Sequence, residues 1–302
     1  MTATISFLCA GALTACMFVD AEAKVQSWGF AHAMVSADEI LEKHAPPPAG
    51  ARIQHDIPYG SDPAQRLDLY RLARTERAPI LVMVHGGSWQ RGDKALPSVV
   101  VNKVNHWLIE GFIMVSLNYR LAPRANPLHQ ADDVARALAY VQQHAPEWGG
   151  DPKRIVLMGH SAGAHLVALV AAAPEITRRA GVKPWLGTVA LDSTVYNVVT
   201  LMERRHLELY DHAFGDDQAL WRAASPTLRL ETAPAPMLLV CSSRRADSCA
   251  MAREFARQAH TMGGRVTTLE VDMTHREINA LLGDRGAYTE AVDQFMHTIG
   301  AY

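Results

Sequence analysis

Apolar positions along the chain follow three different spacings. In "RIQHDIPYG" and "RLDLYRL" they alternate around a "GSDP" turn, with Leu67 and Leu69 on one face, as expected of half-buried strands. "APILVMVHGG" and "GFIMVSLNYR" are continuous apolar runs, the pattern of strands buried on both faces. Between them Val100, Val104, Trp107 and Leu108 recur at helical spacing, as do Ala131, Val134, Ala135, Leu138 and Val141 further on. The alternation continues to the end. "RIVLMGH", "LGTVALDS", "APMLLVCSS" and "RVTTLEV" read as strands, while residues 162–173, the Met251, Phe255, Ala259, Met262 stripe and the Tyr288, Val292, Phe295, Met296, Ile299 stripe read as helices.

Strands alternating with helices of this length imply right-handed crossovers and a mostly parallel sheet covered on both faces, an α/β fold. In such sheets chemistry collects at the carboxyl ends of the strands. One connection breaks the rhythm. Residues 193–232 separate two strands and contain "YNVVTLMERRHLELYDHAFGDD", long enough to be expected as a small cap over that edge.

The compact domain is expected over residues 51–302, after the stiff run "APPPAG" closes an extension at 24–50. Residues 1–23 are apolar and small, and Ala21-Glu22-Ala23 fits the cleavage rule of a secretory signal, although no Lys or Arg precedes the apolar stretch. Export is the expectation, with a cytoplasmic protein bearing an apolar N-terminal helix as the alternative. Leu13-Thr14-Ala15-Cys16 also resembles a lipobox, which would anchor the chain through a lipid on Cys16. The stretch is short for a membrane span. In an oxidising compartment Cys241 and Cys249 could pair; otherwise they are free thiols, Cys241 on a buried strand.

Composition narrows the function. With 302 residues, 49% hydrophobic and 20% charged, the chain can build one sizeable core, and its formal charge of −2 offers nothing to a phosphate backbone, so nucleic acid is not an expected partner. No metal-ligand spacing, dinucleotide fingerprint or phosphate loop occurs, so no metal and no cofactor is expected.

The informative stretch is "GHSAG", residues 159–163, between the run "RIVLM" and the helix that follows. A serine hydroxyl becomes a nucleophile only when a base stands beside it and its backbone neighbours leave it clear. A sharp strand-to-helix turn achieves this where Gly159 and Gly163 supply room, leaving Ser161 at the top of the sheet. Of the 14 histidines, His275 in "VDMTHREIN" falls just past the last strand, where a loop would reach over the sheet; it is the expected base. The orienting carboxylate is expected to be Asp247 in "CSSRRADSC", with Asp272 and Asp192 as alternatives. "HGGSW" ends the strand "ILVMV", and its Gly86 and Gly87 N–H groups, with that of Ala162, are candidates for an oxyanion hole. His85 would fix that loop by hydrogen bonding. Ser88, Trp89, Tyr119 and Tyr196, together with Tyr210, Phe214 and Trp221, are candidates for lining an acyl or aromatic pocket, with plain core packing as their alternative role.

Together, "HGGSW", "VSLNYRLAP" and "GGDPKRIVLMGHSAGAHL" resemble the α/β-hydrolase superfamily, in its carboxylesterase/lipase branch that includes hormone-sensitive-lipase-like esterases, feruloyl-type esterases and kynurenine formamidases. The resemblance spans about 51–302 and implies a cofactor-free serine hydrolase acting on small-molecule carboxylic esters. An amide or formamide hydrolase using the same residues is the second expectation, and a non-catalytic binding module the third. Ser88 stands where many esterases have a third glycine, which leans toward the formamidase and feruloyl-type pattern.

Overall fold

The computed structural model describes residues 46–302. The apolar leader at 1–23, Cys16 and most of the 24–50 extension lie outside the described residues. Eight strands form one sheet: β1 (Ala51–Pro58), β2 (Arg66–Leu72), β3 (Ala78–Val84), β4 (Ile113–Leu117), β5 (Gly150–His160), β6 (Gly187–Leu191), β7 (Met237–Ser242) and β8 (Val266–Val271). Their spatial order is β1-β2-β4-β3-β5-β6-β7-β8. Pairing is antiparallel at β1-β2 and β2-β4 and parallel from β4 to β8. This is the α/β-hydrolase fold.

The continuous apolar runs became the central strands for a simple reason. Every residue of β3, β4 and β6 is buried, because each strand has helices on both faces and its two side-chain sets both need apolar partners. Val82, Val84 and Leu157 point to one face, packing with helices α2 (Pro127–His144), α3 (Ala162–Ala172) and α8 (Ser248–Thr261). Leu81, Met83 and Met158 point to the other, against α1 (Pro97–Trp107) and α10 (Ala287–Thr298). Helix α4 (Pro174–Ala180) follows α3 directly.

Residues 193–232 fold into three short helices, α5 (Val198–Met202), α6 (Glu208–Phe214) and α7 (Gln218–Ala223), and a 3-10 turn at Pro226–Arg229. Phe214 is fully buried against Trp89, with ring centroids 4.9 Å apart, so this segment is packed on the loop that follows β3. The segment after β8, expected as a loop, is instead a short helix, α9 (His275–Ala280). Its start is a capping box in which Thr274 and Glu277 satisfy each other's backbone N–H groups, a signal present in "THRE". No helix among the described residues is long and apolar enough to cross a membrane.

Cys241 at the end of β7 and Cys249 in the first turn of α8 form a disulfide, eight residues apart with Cα atoms separated by 5.0 Å. It closes the loop 242–248 at the rim of the sheet. A loop of this size constrains the unfolded chain by about 2–3 kcal/mol. The double variant Cys241→Ala/Cys249→Ala, followed by guanidinium unfolding, is expected to lose about that much stability, and added reductant should lower the parent to the same level while leaving the variant unchanged.

Candidate active site

Ser161 has φ 57° and ψ −117°, a backbone conformation that side-chain-bearing residues rarely adopt. The flanking glycines explain how the turn closes. A Cβ at Gly159 would lie 2.4 Å from the carbonyl oxygen of Gly163, and a Cβ at Gly163 would lie 2.3 Å from that of Val84. Ser161 N–H donates to Leu191 O at 2.9 Å, and His165 N–H donates back to Ser161 O at 3.0 Å. The elbow is therefore tied to β6 on one side and to α3 on the other.

His275 opens α9, and the far end of that helix is held by three side chains. Lys103 Nζ donates to Asn279 O at 2.5 Å, Asn102 Nδ2 to Ala280 O at 2.8 Å, and Tyr288 OH to Ile278 O at 2.9 Å. These satisfy carbonyls that a short helix leaves unpaired. Burial pushes Lys103 down to about 7. The ring of His275 then reaches Ser161, with Nε2 3.0 Å from Oγ.

On its other side, His275 Nδ1 lies 2.5 Å from Asp192 Oδ2. Asp192 thus occupies the orienting position expected of Asp247. Asp247 is half-exposed, 55% by side chain, and stands 3.6 Å from Arg204; it sits five residues beyond β7, as the residue before α8, and its side chain turns away along the surface. Asp272 is 83% exposed and bonds Arg244 at 2.7 Å. Asp192 was one of the two alternatives. It follows directly on β6 with φ 55°, its N–H donating to Val240 O at 2.8 Å, and its carboxylate is completely buried. Ser242 N–H at 3.0 Å and the Ser248 hydroxyl donate to Oδ1. Burial works against the charge of Asp192, but the His275 hydrogen bond, the nearby Arg245 cation and the Ser248 hydroxyl outweigh it and hold the carboxyl well below the usual range.

Arg245 is the residue that the sequence reading passed over. Its Nη1 lies 2.6 Å from Asp192 Oδ2, 3.1 Å from Asp192 O and 2.9 Å from His275 Nδ1. With Nδ1–H directed at Asp192, Oδ2 accepts from imidazole and guanidinium together, and Nε2 is left to accept from Ser161.

Gly86 and Gly87 lie against the nucleophile. A Cβ at Gly86 would stand 2.9 Å from Ser161 Cβ, and Gly87 has φ +126° with Arg91 O 2.0 Å from where its Cβ would be. His85 stacks on Tyr119, centroids 4.5 Å apart, and its Nδ1 is 2.7 Å from Gly86 O. Tyr119 and Tyr196 do not line the cavities beside Ser161. Tyr119 is buried with its hydroxyl donating to His85 O at 3.1 Å, and Tyr196 is buried against Phe255 at 5.1 Å; both are core aromatics, so the pocket expectation fails for them. Ser88 and Trp89 do border the site. A cavity of about 200 Å³ runs from Ser161 past Ser88 and Trp89 to Thr194, Tyr210 and Arg245. A second, of about 370 Å³, opens on the other side of Ser161 toward Arg91, Leu96 and Asn279. A cavity of about 770 Å³ beside Trp185 and Gln142 contains none of these groups. Among the described residues no group of three or more His, Cys, Asp and Glu side chains is placed to hold a metal ion.

Residues 67–244 match the family model described as BD-FAE. The chain belongs to the BD-FAE family. Among curated relatives, esterase LipQ of Mycobacterium tuberculosis is 32% identical over 201 residues, covering 61% of this chain and 47% of LipQ. The probable carboxylic ester hydrolase LipM of the same organism is 32% identical over 270 residues, covering 82% of this chain and 61% of LipM. The chain spans about half the length of these relatives. Esterase B of Lactobacillus rhamnosis superposes with a TM-score of 0.71 at 20% identity, over 88% of this chain and 90% of that one; at that identity the likeness speaks for the fold.

Below the site, His165 of this BD-FAE chain accepts at Nδ1 from Trp89 Nε1 at 3.2 Å and donates from Nε2 to Ala224 O at 2.8 Å, which requires the neutral ring. Burial lowers its pKa to about 4. The folded value lies below the unfolded one of about 6.5, so the unfolded chain binds the extra proton and stability falls as pH drops from about 6.5 toward about 4. A two-dimensional NMR titration is expected to show His165 still neutral at pH 5. A midpoint near 6.5 would contradict the assignment.

Proposed function

We propose that the protein is a serine carboxylesterase acting on small-molecule esters. The observation that carries this reading is the unbroken line from Ser161 Oγ through the His275 ring to Asp192, with contacts of 3.0 and 2.5 Å. BD-FAE membership and relatives named as esterases support it. His275 Nε2 takes the Ser161 proton as Oγ attacks the ester carbonyl, and Asp192 holds Nδ1–H so that the imidazolium is oriented and stabilised. The carbonyl oxygen becomes an anion beside the backbone N–H groups of Gly86, Gly87 and Ala162, the last also at the positive end of α3. His275 then protonates the departing alcohol, and a water activated by the same ring releases the acid from Ser161.

The Cys241–Cys249 disulfide supports an oxidising compartment for this enzyme, hence export.

Initial rates on p-nitrophenyl acetate test the assignment. Ser161→Ala is expected to abolish turnover and labelling by a fluorophosphonate while retaining the parent's circular dichroism. Asp192→Asn should lower kcat by about 10⁴-fold through the wrong imidazole tautomer, whereas Asp247→Asn should stay within about twofold, as a surface change does. The reverse ranking of the two aspartates would return the role to Asp247, and full turnover by Ser161→Ala would end the proposal.

A further inference from the structure

The cavity beside Ser161 has a neighbour on the far side of Arg245. This adjoining space of about 360 Å³ shares Thr194, Leu207, Tyr210 and Arg245 with it and adds Arg204 and Arg205. The nucleophile borders the first space and three guanidinium groups border the second, with Arg245 common to both.

Their charges are unequally matched. Arg204 faces Asp247 at 3.6 Å, and His206, on the same wall, faces Asp211 at 2.9 Å. Arg245 is matched by the buried Asp192. Arg205 has no carboxylate partner among the described residues. The bonding of Arg245 is also one-sided. Its side-chain hydrogen bonds to described residues, both to Asp192, run through Nη1, so the edge formed by Nε and Nη2 is unused. Its side chain is 30% exposed and lines both cavities. That edge presents two parallel N–H donors, the geometry that fits a carboxylate. A neutral acyl chain docked there would desolvate these donors without satisfying them.

We propose that the preferred substrates are esters carrying a free carboxylate, a monoester of a short dicarboxylic acid or an ester of a hydroxy acid, with the carboxylate docked on the Nε/Nη2 edge of Arg245 and attracted by Arg205. The spacing suits short linkers. Arg245 Nη1 is 2.9 Å from one nitrogen of the imidazole whose other nitrogen is 3.0 Å from Ser161 Oγ, so the Nε/Nη2 edge stands one imidazole ring and one guanidinium from the nucleophile. This inference rests on the serine-esterase reading and specifies its substrate class.

Matched pairs differing only in that charge provide the test. Monomethyl glutarate is compared with the methyl ester of glutaramic acid, and 3-acetoxypropanoate with 3-acetoxypropanamide, each followed by pH-stat at pH 7.5. In the parent protein at least one anionic member is expected to exceed its neutral amide in kcat/KM by about tenfold, with the ratio shrinking in 0.5 M salt. Arg205→Gln should reduce the ratio severalfold. Arg245→Lys should bring it close to one, whatever it does to the rates themselves, since a single ammonium cannot reproduce the two-donor edge. A ratio of one or below in both pairs for the parent, or one that neither variant alters, overturns the proposal. Continued hydrolysis of the amides would show that the esterase reading stands even then, whereas inertness toward all four compounds and p-nitrophenyl acetate would count against that reading itself.

Discussion

The crossing of β3, β5 and α3 around Ser161 is the constraint on which the site depends. Val84 O, Gly163 and Gly159 are so close that no side chain fits at either glycine, and the backbone of Ser161 is forced into its left-handed region. Conformations of this kind cost of the order of 1–3 kcal/mol. They persist only where the surroundings leave no alternative. Here the surroundings are two fully buried layers on β3, so relaxing the turn would mean separating β3 from β5 or lifting α3 from the sheet. The strain is thus held by core packing, and a hydroxyl is fixed where the chain can bring a base to it.

Much of this was readable from residue order. Continuous apolar runs marked the strands because burial on two faces leaves no polar position, and the glycine-bracketed serine marked the turn because sterics permit little else there. His275 stood out because it closely follows the final strand. Asp192 did not, and the reason lies in the sheet. Strands β6 and β7 are parallel neighbours in register, Leu191 opposite Val240, so their carboxyl ends reach the same rim and an acid after either can meet the same imidazole. Residue order does not distinguish them. What decides is the angle at which each carboxylate leaves the sheet: Asp192 turns inward under the β7 end, accepting from Ser242 N–H, while Asp247 is already the residue leading into α8.

The aromatic residues were illegible for a related reason. Tyr119, one residue beyond Asn118 and two beyond β4, supports His85, and Tyr196 sits on Phe255 from another layer. Whether an aromatic at a strand end faces cleft or core depends on which helix lies above it, a long-range fact that local spacing does not encode. Trp89 is exceptional because it meets both conditions, bordering the cleft at Ser161 and bonding His165 beneath it.

Arg245 changes the charge accounting of the proposed reaction. In a site containing only an ionised aspartate and a neutral imidazole, the resting state carries one negative charge, which the imidazolium cancels once the proton has moved, leaving the oxyanion as the net charge. Here Asp192 is already paired with Arg245 at 2.6 Å, so its charge is balanced before any proton moves. Proton transfer to His275 then creates a positive charge that Asp192 and the oxyanion forming at Ser161 attract and that Arg245, 2.9 Å from Nδ1, repels. The guanidinium therefore moderates the stabilisation that the carboxylate gives the imidazolium, and what it supplies in return is a carboxylate held in one orientation. The disulfide beside Arg245 serves the same end, because a guanidinium on an unclipped loop would contribute a weaker and less constant field than one held at the rim of the sheet.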